Sequence, residues 1–425
     1  MNQAWTDDAP LTALDALWEP EALARLSGQY AFHLQRDGEH LLARDPLGVN
    51  KLFFAVDDND VVHASNFLIE LRRAGHPLAR IFSCPSGHSV RLRPAARSLQ
   101  LQKVKALLFG DDGAVPDLAQ HVARIRARLD ETFGRVARAV QGRPVYVTLS
   151  GGLDSTAVAA LARETVGVFT GLTFCLGDES RARVPGADLF FAQKVADELG
   201  IPLEVVAVEP EDLLRLLDSV LVHGQDWRDF NVHCGVVNAA LGEALARKHA
   251  GGARPVVLTG DTMNELMADY SPVHYRGTEY YGLPRLAAGR LRRFLVGGLD
   301  AGDREVGVFH HFGVDTIEPY AWCADAYTAL PGAFLEQKAA KQLLVEQVLG
   351  ARVPRFIYER PKVRAQVGSS ADVGGTLASL VDQGIDAPKL AARFCRLFDI
   401  DPGALSSLVR AGFYRFTASY PGAAV

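Results

Sequence analysis

The segment that most constrains this chain is residues 145–155, with the sequence VYVTLSGGLDS. Its first five residues form an apolar run typical of a buried β-strand, and the residues after Ser155 favour a helix. Two adjacent glycines let the backbone approach a ligand closely. The first turn of the following helix offers unpaired N–H groups and the positive end of its dipole. The segment therefore predicts a strand–loop–helix unit that binds an anion.

Three polar side chains in this loop indicate that the anion is a phosphate. Ser150 and Ser155 add hydroxyl donors to the backbone N–H groups. A carboxylate beside a phosphate, here Asp154, is usually explained by a Mg²⁺ ion shared between protein and phosphate. The loop does not end in the Gly-Lys-Ser/Thr of a Walker A loop, so it indicates a different class of phosphate site.

From Arg143 onwards, strand-like and helix-like segments alternate. The predicted strands are residues 145–149, 171–176, 203–208 and 255–258, and the predicted helices lie near 156–165, 188–199, 211–222 and 233–250. Such alternation predicts a parallel sheet covered by helices on both faces, with its ligands at the carboxyl ends of the strands. Residues 285–425 are predicted to be mainly helical.

The N-terminal part has a different pattern. Residues 27–104 contain short segments of alternating polar and apolar residues, separated by turn sequences such as Arg36-Asp-Gly-Glu39, and predict a mostly antiparallel β module. Residues 110–116 have the composition of a linker. Asp117 is predicted to cap a helix whose apolar residues recur every three or four positions as far as Val140.

Composition excludes several classes of function. The net charge of −5 gives no electrostatic basis for nucleic-acid binding. No run approaches the ~18 apolar residues of a membrane span, and the start of the chain does not resemble a signal peptide. The five cysteines are scattered, as expected of thiols in a reducing cytoplasm. The spacing of His223, His233 and Cys234 fits no usual zinc site.

A series of short segments, in order along nearly the whole chain, resembles the asparagine synthetase superfamily. These segments are residues 28–34, 42–55, 63–65, 85–88, 150–155, 259–265, 341–344 and 360–362. Residues 150–155 are similar to the Ser-Gly-Gly-x-Asp-Ser pyrophosphate loop of enzymes that split ATP between its α and β phosphates. The resemblance implies an α/β synthetase domain of the adenine nucleotide α-hydrolase-like fold, preceded by a glutaminase-like β domain.

The glutaminase-like part departs from the family. The family uses an N-terminal cysteine as its nucleophile, whereas this sequence starts Met1-Asn2-Gln3 and its first cysteine is Cys84. Asn and Gln carry no nucleophile of comparable strength. We therefore expect residues 1–104 to be a truncated, inactive glutaminase-like domain, residues 105–140 a linker and connecting helix, and residues 141–425 the synthetase domain.

The resemblance implies an ATP-dependent, AMP-forming C–N ligase. Such an enzyme adenylates a substrate carboxylate, releases pyrophosphate and lets an amine attack the activated carbonyl. Residues 360–370 look closest to the β-lactam synthetase and carbapenam synthetase group, in which substrates are cyclised by their own amine. This implies natural-product or antibiotic biosynthesis. The expected ligands are ATP, Mg²⁺, a small-molecule carboxylate and an amine, and the sequence is compatible with a homo-oligomer.

Two alternatives remain open at this stage. One is an ammonia-dependent enzyme similar to asparagine synthetase. The other is a nucleotide-binding partner subunit without catalytic activity, for which the departures from the family's glutaminase and metal motifs are the support.

The nucleotide-binding residues follow from the same resemblance. They are Leu149, Ser150, Gly151, Gly152, Asp154, Ser155, Leu176 and Gly260. Asp154 is expected to ligate Mg²⁺. Because Asn264 stands where the family has a second metal-binding Asp, Glu265 or Asp261 is the candidate for the second ligand.

Three residues are the candidate catalytic groups. Lys362, in the Arg-Pro-Lys sequence, is expected to neutralise charge in both half-reactions. Asp261 and Glu305 would form a carboxylate pair that accepts the proton of the amine, in the place of the Tyr–Glu dyad of the β-lactam group. The alternative is that Asp261 binds metal and Glu305 is a surface residue.

Three further residues allow two interpretations each. Lys341 would either orient the site or cover a helix surface. Asp226 and Asp229 lie where the family shapes its substrate pocket, but helix capping explains either one as well.

Overall fold

The computed structural model describes residues 5–6, 11–114, 117–179, 185, 187–363, 365–368, 374–405 and 423–424. Its centre is a sheet of five parallel strands. In spatial order these strands are Leu203–Val208, Thr170–Leu176, Val145–Thr148, Val256–Leu258 and Asp315–Ile317. Four of them lie at the predicted positions, which confirms the parallel sheet. Asp315–Ile317 was not predicted, because its three residues lack a recognisable apolar pattern.

The strands bury both faces of the sheet, as the predicted α/β fold requires. In the strand Val145–Thr148, Val145 and Val147 belong to one hydrophobic core, whereas Tyr146 belongs to another. The first core contains the helices Leu118–Ala139 and Leu153–Thr165, and the second contains Leu213–His223, Asp229–Lys248 and Ala387–Phe398. Helices therefore cover the sheet on both sides.

The N-terminal module is built from antiparallel strands, as predicted, apart from one short parallel pairing. One sheet contains Ala31–Arg36, Glu39–Arg44, His88–Arg93, Ser98–Lys103 and the short strand Ala423–Ala424, which pairs parallel to Ser98–Lys103. A second sheet contains Phe53–Val56, Val62–Ser65 and Phe82–Ser83, and a small pair contains Trp5–Thr6 and Gly28–Gln29. The predicted Asp-Gly hairpin turn has positive φ at both Asp37 (52°) and Gly38 (73°), the geometry that favours these residues.

The predicted connecting helix is also present. Asp117 accepts a hydrogen bond from the backbone N of Gln120 at 3.1 Å and so caps the helix Leu118–Ala139. The apolar stripe of this helix is buried, with Ile125 and Phe133 fully inaccessible to solvent. The domain bounds at residues 104 and 140 remain a prediction.

The remaining segments follow in chain order, and residues 285–405 are mainly helical where they are described. The other α-helices are Pro20–Arg25, Leu68–Arg73, Asp188–Leu199, Met263–Met267, Ala288–Gly298, Val306–His311, Pro319–Trp322, Ala324–Thr328, Gly332–Leu335, Ala340–Leu349, Arg355–Tyr358, Ala365–Gly368 and Gly375–Asp382. A hairpin joins Val273–Tyr275 to Thr278–Tyr280. The 3₁₀ segments are Leu11–Trp18, Leu78–Arg80, Pro94–Ala96, Pro210–Asp212, Gly350–Arg352 and Pro402–Ala404. Within the described residues, no helix is both long and apolar enough to cross a membrane.

Candidate active site

A cleft of about 430 Å³ lies at the carboxyl ends of the strands Val145–Thr148 and Val256–Leu258. Parallel α/β sheets bind their ligands at this edge. Most of the predicted site residues line the cleft: Leu149, Ser150, Gly152, Asp154, Ser155, Gly260, Asp261, Glu305, Lys341 and Lys362. We call the part around residues 150–155 and the two lysines the phosphate end, and the part around Asp261, Arg304 and Glu305 the carboxylate end.

The loop at the phosphate end is held in shape by its own serines. The hydroxyls of Ser150 and Ser155 lie 3.2 Å apart, and the Ser150 hydroxyl accepts a hydrogen bond from the backbone N of Gly152 at 3.3 Å. Ser155 also donates to the backbone O of Gly152 at 3.2 Å. Gly152 is the N-cap of the helix Leu153–Thr165, and its position has no side-chain cap. The first-turn N–H groups are therefore oriented for an anion.

Two glycines of the predicted site are required by close packing. At Gly260, a Cβ atom would lie 2.8 Å from the backbone N of Ser155. At Gly151, where φ is +68°, a Cβ atom would lie 2.4 Å from Cβ of Phe191. Gly260 lines the cleft, whereas Gly151 does not. The contribution of Gly151 is thus to let the loop turn against the helix Asp188–Leu199.

A chain of charged groups crosses the phosphate end. Nζ of Lys341 lies 2.8 Å from Oδ2 of Asp154, 2.8 Å from Oδ1 of Asn264 and 2.9 Å from Oδ2 of Asp269. Nζ of Lys362 contacts the same two acceptors, Oδ1 of Asn264 at 3.0 Å and Oδ2 of Asp269 at 2.7 Å. Asp269 and Asn264 therefore hold two ammonium groups side by side.

Burial and charge act against each other in this chain of groups. Burial alone would lower the pKa of Lys341, but Asp154 and Asp269 raise it above its ordinary value. Burial and the neighbouring Lys341 lower the pKa of Lys362. Burial would raise the pKa of Asp269, yet the two lysines bring it to about 2. Asp269 is thus an anion at neutral pH, and of the two lysines Lys362 is the more exposed to solvent.

The predicted Mg²⁺ site is compatible with Asp154 but not with Glu265. Oδ1 of Asp154 is buried without a hydrogen-bond partner among the described residues, and Asp154 lines the cleft beside the loop. Glu265 does not line the cleft, and its Oε1 is bound by Arg304 at 3.1 Å and by the hydroxyl of Tyr270 at 2.6 Å. In the described part of the chain, no three His, Cys, Asp or Glu side chains form a metal-binding group. A metal ion here would depend on phosphate oxygens for most of its ligands.

Arg304 organises the carboxylate end, and the sequence analysis missed it. Its Nε lies 2.7 Å from Oε1 of Glu305, and one terminal nitrogen lies 3.1 Å from both Oδ1 of Asp261 and Oε1 of Glu265. Its side chain is 9% exposed. Its position next to Glu305 in the sequence could have predicted this role, because a buried carboxylate needs a cation to pair with.

Asp261 and Glu305 lie together, and Glu305 is buried, so the alternative of a surface Glu305 is wrong. Oε1 of Glu305 and Oδ1 of Asp261 both contact the guanidinium of Arg304. Burial, followed by the charge of Asp261, raises the pKa of Glu305 well above its ordinary value. Glu318 lies behind the pair and accepts a hydrogen bond from Thr262. Burial and Asp261 raise the pKa of Glu318 to about 8. One cation thus faces several carboxyls, and not all of them can be ionised at neutral pH.

Arg360 is the second functional candidate that the sequence analysis did not single out. It donates to the backbone O of Ser150 at 3.1 Å and to Oδ1 of Asp188 at 2.5 Å. Its guanidinium also lies 4.1 Å from the centre of the Phe191 ring. Burial raises the pKa of Asp188 to about 6. In the Arg-Pro-Lys sequence, Arg360 therefore fixes the loop while Lys362 faces the cleft.

The apolar side of the cleft differs from the prediction at one residue. Leu149, Leu172 and Phe174 line the cleft. Leu176 does not; it is 6% exposed and packs into the core beneath the helix Leu213–His223. Side chains point alternately to the two faces of a strand, and the packing of the sheet decides which face meets the ligand. The sequence alone therefore does not show on which face Leu176 lies.

Asp226 supports the carboxylate end indirectly. It accepts hydrogen bonds from Arg228 and from Nδ2 of Asn231 at 2.5 Å, and Oδ1 of Asn231 lies 3.5 Å from Arg304. Asp229 starts the helix Asp229–Lys248, whose next residue, Phe230, lines the cleft.

The histidines outside the cleft have other partners. Nδ1 of His233 lies 2.7 Å from the hydroxyl of Tyr281, and His223 stacks on His311 with ring centres 3.8 Å apart. Cys234 borders the cleft.

Comparison with known proteins adds family information. Residues 124–302 match the family model described as Asparagine synthase, and residues 3–69 match the model described as Glutamine amidotransferase domain. The asparagine synthetase (glutamine-hydrolyzing) of Bos taurus is 24% identical over 275 residues, which cover 60% of this chain and 48% of that protein. The amidase chyE of Penicillium rubens is 28% identical over 294 residues, which cover 58% of this chain and 40% of that protein.

The chain spans about half the length of the curated relatives it matches. Among solved structures, NMN synthetase from Francisella tularensis aligns with 73% of this chain at 13% identity and a TM-score of 0.31.

Proposed function

Because the chain belongs to the asparagine synthetase superfamily, we propose that it is an ATP-dependent ligase that forms an amide bond through an acyl-adenylate. The observation that supports this most is the composition of one cleft. It holds a pyrophosphate-type loop, two lysines and the carboxyl pair Asp261 and Glu305, of which Glu305 is buried. These are the groups needed to activate a carboxylate and then to deprotonate an amine.

In the first half-reaction, a carboxylate oxygen of the substrate attacks the α-phosphorus of ATP, and the bond to the β-phosphate oxygen breaks. The leaving pyrophosphate would be received by the N–H groups after Gly152 and by the hydroxyls of Ser150 and Ser155. Lys341, which contacts Asp154, and Lys362 line the same end of the cleft and would neutralise the charge that develops on the phosphate oxygens. When Mg²⁺ is bound, it neutralises phosphate charge, with Asp154 as its protein ligand.

In the second half-reaction, the amine nitrogen attacks the activated carbonyl and AMP leaves. The nitrogen must lose a proton, and Asp261 is the group placed to accept it. Asp261 lines the cleft and its side chain is 31% exposed, whereas Glu305 lies deeper and keeps its proton because its pKa is raised. Arg304 holds both carboxyls in place.

The source of the amine divides the proposal into two forms. The preferred form uses an amine of the substrate or of a second small molecule, as in specialised-metabolite biosynthesis. The second form uses free ammonia, and the similarity to asparagine synthetases favours it. The cleft is compatible with both, because Asp261 and Glu305 would serve either nitrogen.

A trapping assay tests the proposed function without knowledge of the amine. Purified protein is incubated with ATP, Mg²⁺, hydroxylamine and, in turn, each proteinogenic amino acid and a set of dicarboxylic acids. Hydroxylamine is uncharged at neutral pH and traps acyl-adenylates as hydroxamates. We expect a hydroxamate from at least one acid, with AMP and pyrophosphate in equal amounts.

Two results would overturn the proposal. Formation of ADP and phosphate would show that ATP is cleaved between its β and γ phosphates and not between α and β. The second result is that the protein binds ATP but releases no AMP, either with any of the acids or with cell-extract metabolites added to the same assay. That result would favour the non-catalytic nucleotide-binding subunit. If a hydroxamate forms, replacement of hydroxylamine by ammonium chloride then separates the two forms of the proposal.

A further inference from the structure

Two buried cations of the N-terminal module bind the segment that leads to Glu305. Nζ of Lys51 donates to the backbone O of Leu299 at 2.6 Å. Arg44, whose side chain is fully buried, donates to the backbone O of Asp300 at 3.0 Å and forms an ion pair with its Oδ1 at 2.9 Å. The backbone N of Ser86 also donates to Oδ1 of Asp300, at 3.1 Å. The module therefore binds the start of residues 299–305 at several points.

The rest of this segment is fixed within the synthetase part. The backbone N of Asp303 donates to the backbone O of Gly224 at 2.8 Å, and Asn238 donates to the backbone O of Arg304 at 2.7 Å. The Asp303 carboxylate accepts from the backbone N of Glu305 at 2.8 Å and from that of Gly307 at 2.6 Å. With both ends fixed, the segment has little freedom to move Arg304 and Glu305.

A second contact reaches the other side of the carboxylate pair. Gln29 of the module is fully buried, and its Oε1 accepts from the backbone N of Glu318 at 2.7 Å and from Nε1 of Trp322 at 3.0 Å. Glu318 in turn accepts a hydrogen bond from Thr262, the residue next to Asp261. The module thus contacts both the segment that carries Glu305 and the support of Asp261.

We propose that Gln29, Arg44 and Lys51 are positioning residues for the Asp261–Glu305 pair. The N-terminal module would then have a role in the amide-forming step without performing chemistry of its own. This inference rests on the proposed function for the use of the pair, but its geometry does not depend on the identity of the substrate. Each of the three side chains is buried and satisfies backbone groups that would otherwise lack partners, so their removal has a local cost.

A general role in holding the two parts together would give a different result from a positioning role. General loosening lowers stability and every activity alike. Loss of positioning leaves the phosphate end intact and changes the environment of Glu305, which is faced by Asp261, Arg304 and Glu318. If the segment shifts and admits water, the buried carboxyl becomes easier to ionise.

The test follows the protonated Glu305 carboxyl by infrared spectroscopy during a pH titration of the full chain. Its carbonyl band is assigned as the band that is lost in Glu305→Gln. We expect the band to titrate at lower pH in Lys51→Met than in the parent protein, by about one pH unit, while Lys51→Arg restores the parental midpoint. Gln29→Leu is the second variant, should Lys51→Met fail to fold. Arg93→Met is the control, since Arg93 is an exposed cation of the same module that pairs with Glu39.

A kinetic readout accompanies the titration. In Lys51→Met, hydroxamate formation should stay within about twofold of the parent, and amide formation with an alkylamine or ammonium should fall about tenfold. An unchanged band midpoint in both Lys51→Met and Gln29→Leu would overturn the inference. A shift of the band midpoint to higher pH in Lys51→Met would also overturn the inference, because it would show only the loss of a nearby positive charge. If the parent protein forms no hydroxamate, the proposed function is refuted. The infrared titration then decides the positioning role by itself.

Discussion

At the phosphate end of the cleft, Lys341 and Lys362 share Asp269 and Asn264, whereas at the carboxylate end one cation, Arg304, faces Asp261, Glu265 and Glu305. The first arrangement has two cations and two carboxylates, Asp154 and Asp269, and Lys362 is partly exposed. The second has more carboxyls than cations and is buried, so it holds protons that are not lost at neutral pH.

In the proposed reaction, this difference assigns different steps to the two ends of the cleft. Binding and stabilising anions requires donors that are present before the ligand arrives, which is the property of the phosphate end. Accepting a proton requires a group whose protonation can change, which is the property of the carboxylate end. Substitutions at the two ends should therefore affect different steps of the proposed reaction.

The largest effect is expected for Asp154→Ala. Asp154 is the carboxylate of the loop, and its loss would remove the proposed protein ligand for Mg²⁺ and a partner of Lys341. Turnover measured as AMP release should fall by at least ~10³-fold. Near-normal turnover in this variant would refute the metal assignment. Asp130→Ala, an exposed substitution on the connecting helix, is the control.

Lys362→Ala should lower both half-reactions. The ammonium serves charge that develops when the adenylate forms and when AMP leaves. We expect ATP–pyrophosphate exchange and amide formation to fall together by ~10²–10³-fold. A loss of amide formation with normal exchange would assign Lys362 to the carboxylate end and contradict the division.

Substitutions of the pair should separate the two half-reactions. Asp261→Asn would remove the proposed proton acceptor and should lower amide formation by about 10²-fold, while exchange stays near the parental rate. Glu305→Gln keeps a hydrogen-bond donor next to Asp261 and should have a smaller effect in the same direction. Equal losses of exchange and amide formation in Asp261→Asn would indicate a metal or folding role instead.

The carboxylate end should also make stability depend on pH. A carboxyl with a higher pKa in the folded protein than in the unfolded chain binds its proton more tightly when folded, so stability falls as pH rises between the two values. For Glu318 this window runs from its ordinary 4.5 to about 8. Glu318→Gln should therefore gain stability relative to the parent across the window, by at most ~1.4 kcal/mol per pH unit. Urea unfolding at several pH values measures this, with the exposed Glu359→Gln as control. A difference that does not change with pH would show that Glu318 is ionised in the folded protein.

The smallest effect is expected at Cys84. This thiol is fully buried, and burial raises its pKa to about 12, so it is not a thiolate at neutral pH. Cys84→Ala should leave hydroxamate formation within about twofold of the parent. We also expect no glutamate release from glutamine above a blank without enzyme. Glutamate release that disappears in Cys84→Ala would show a glutaminase activity that the structure does not predict.

The amino-acid sequence determined the loop of the phosphate end and the plan of the fold. Residues 150–155 are contiguous, so their conformation follows from local rules about glycine, serine and helix N-termini. The cap at Asp117, the hairpin turn at Asp37 and Gly38 and four of five central strands are local in the same sense. Each depends on interactions between residues close together in the chain.

The tertiary structure decided the carboxylate end. Asp261 and Glu265 come from one segment and Glu305 and Glu318 from two others, and Arg304 contacts Asp261, Glu265 and Glu305. Whether a carboxyl binds a metal, an arginine or a proton depends on its distance to neighbours and on its burial, and neither can be read from sequence spacing. Glu265 was assigned to a metal and Leu176 to adenosine for this reason. Packing places Glu265 against Arg304 and Tyr270, and it turns Leu176 into the core.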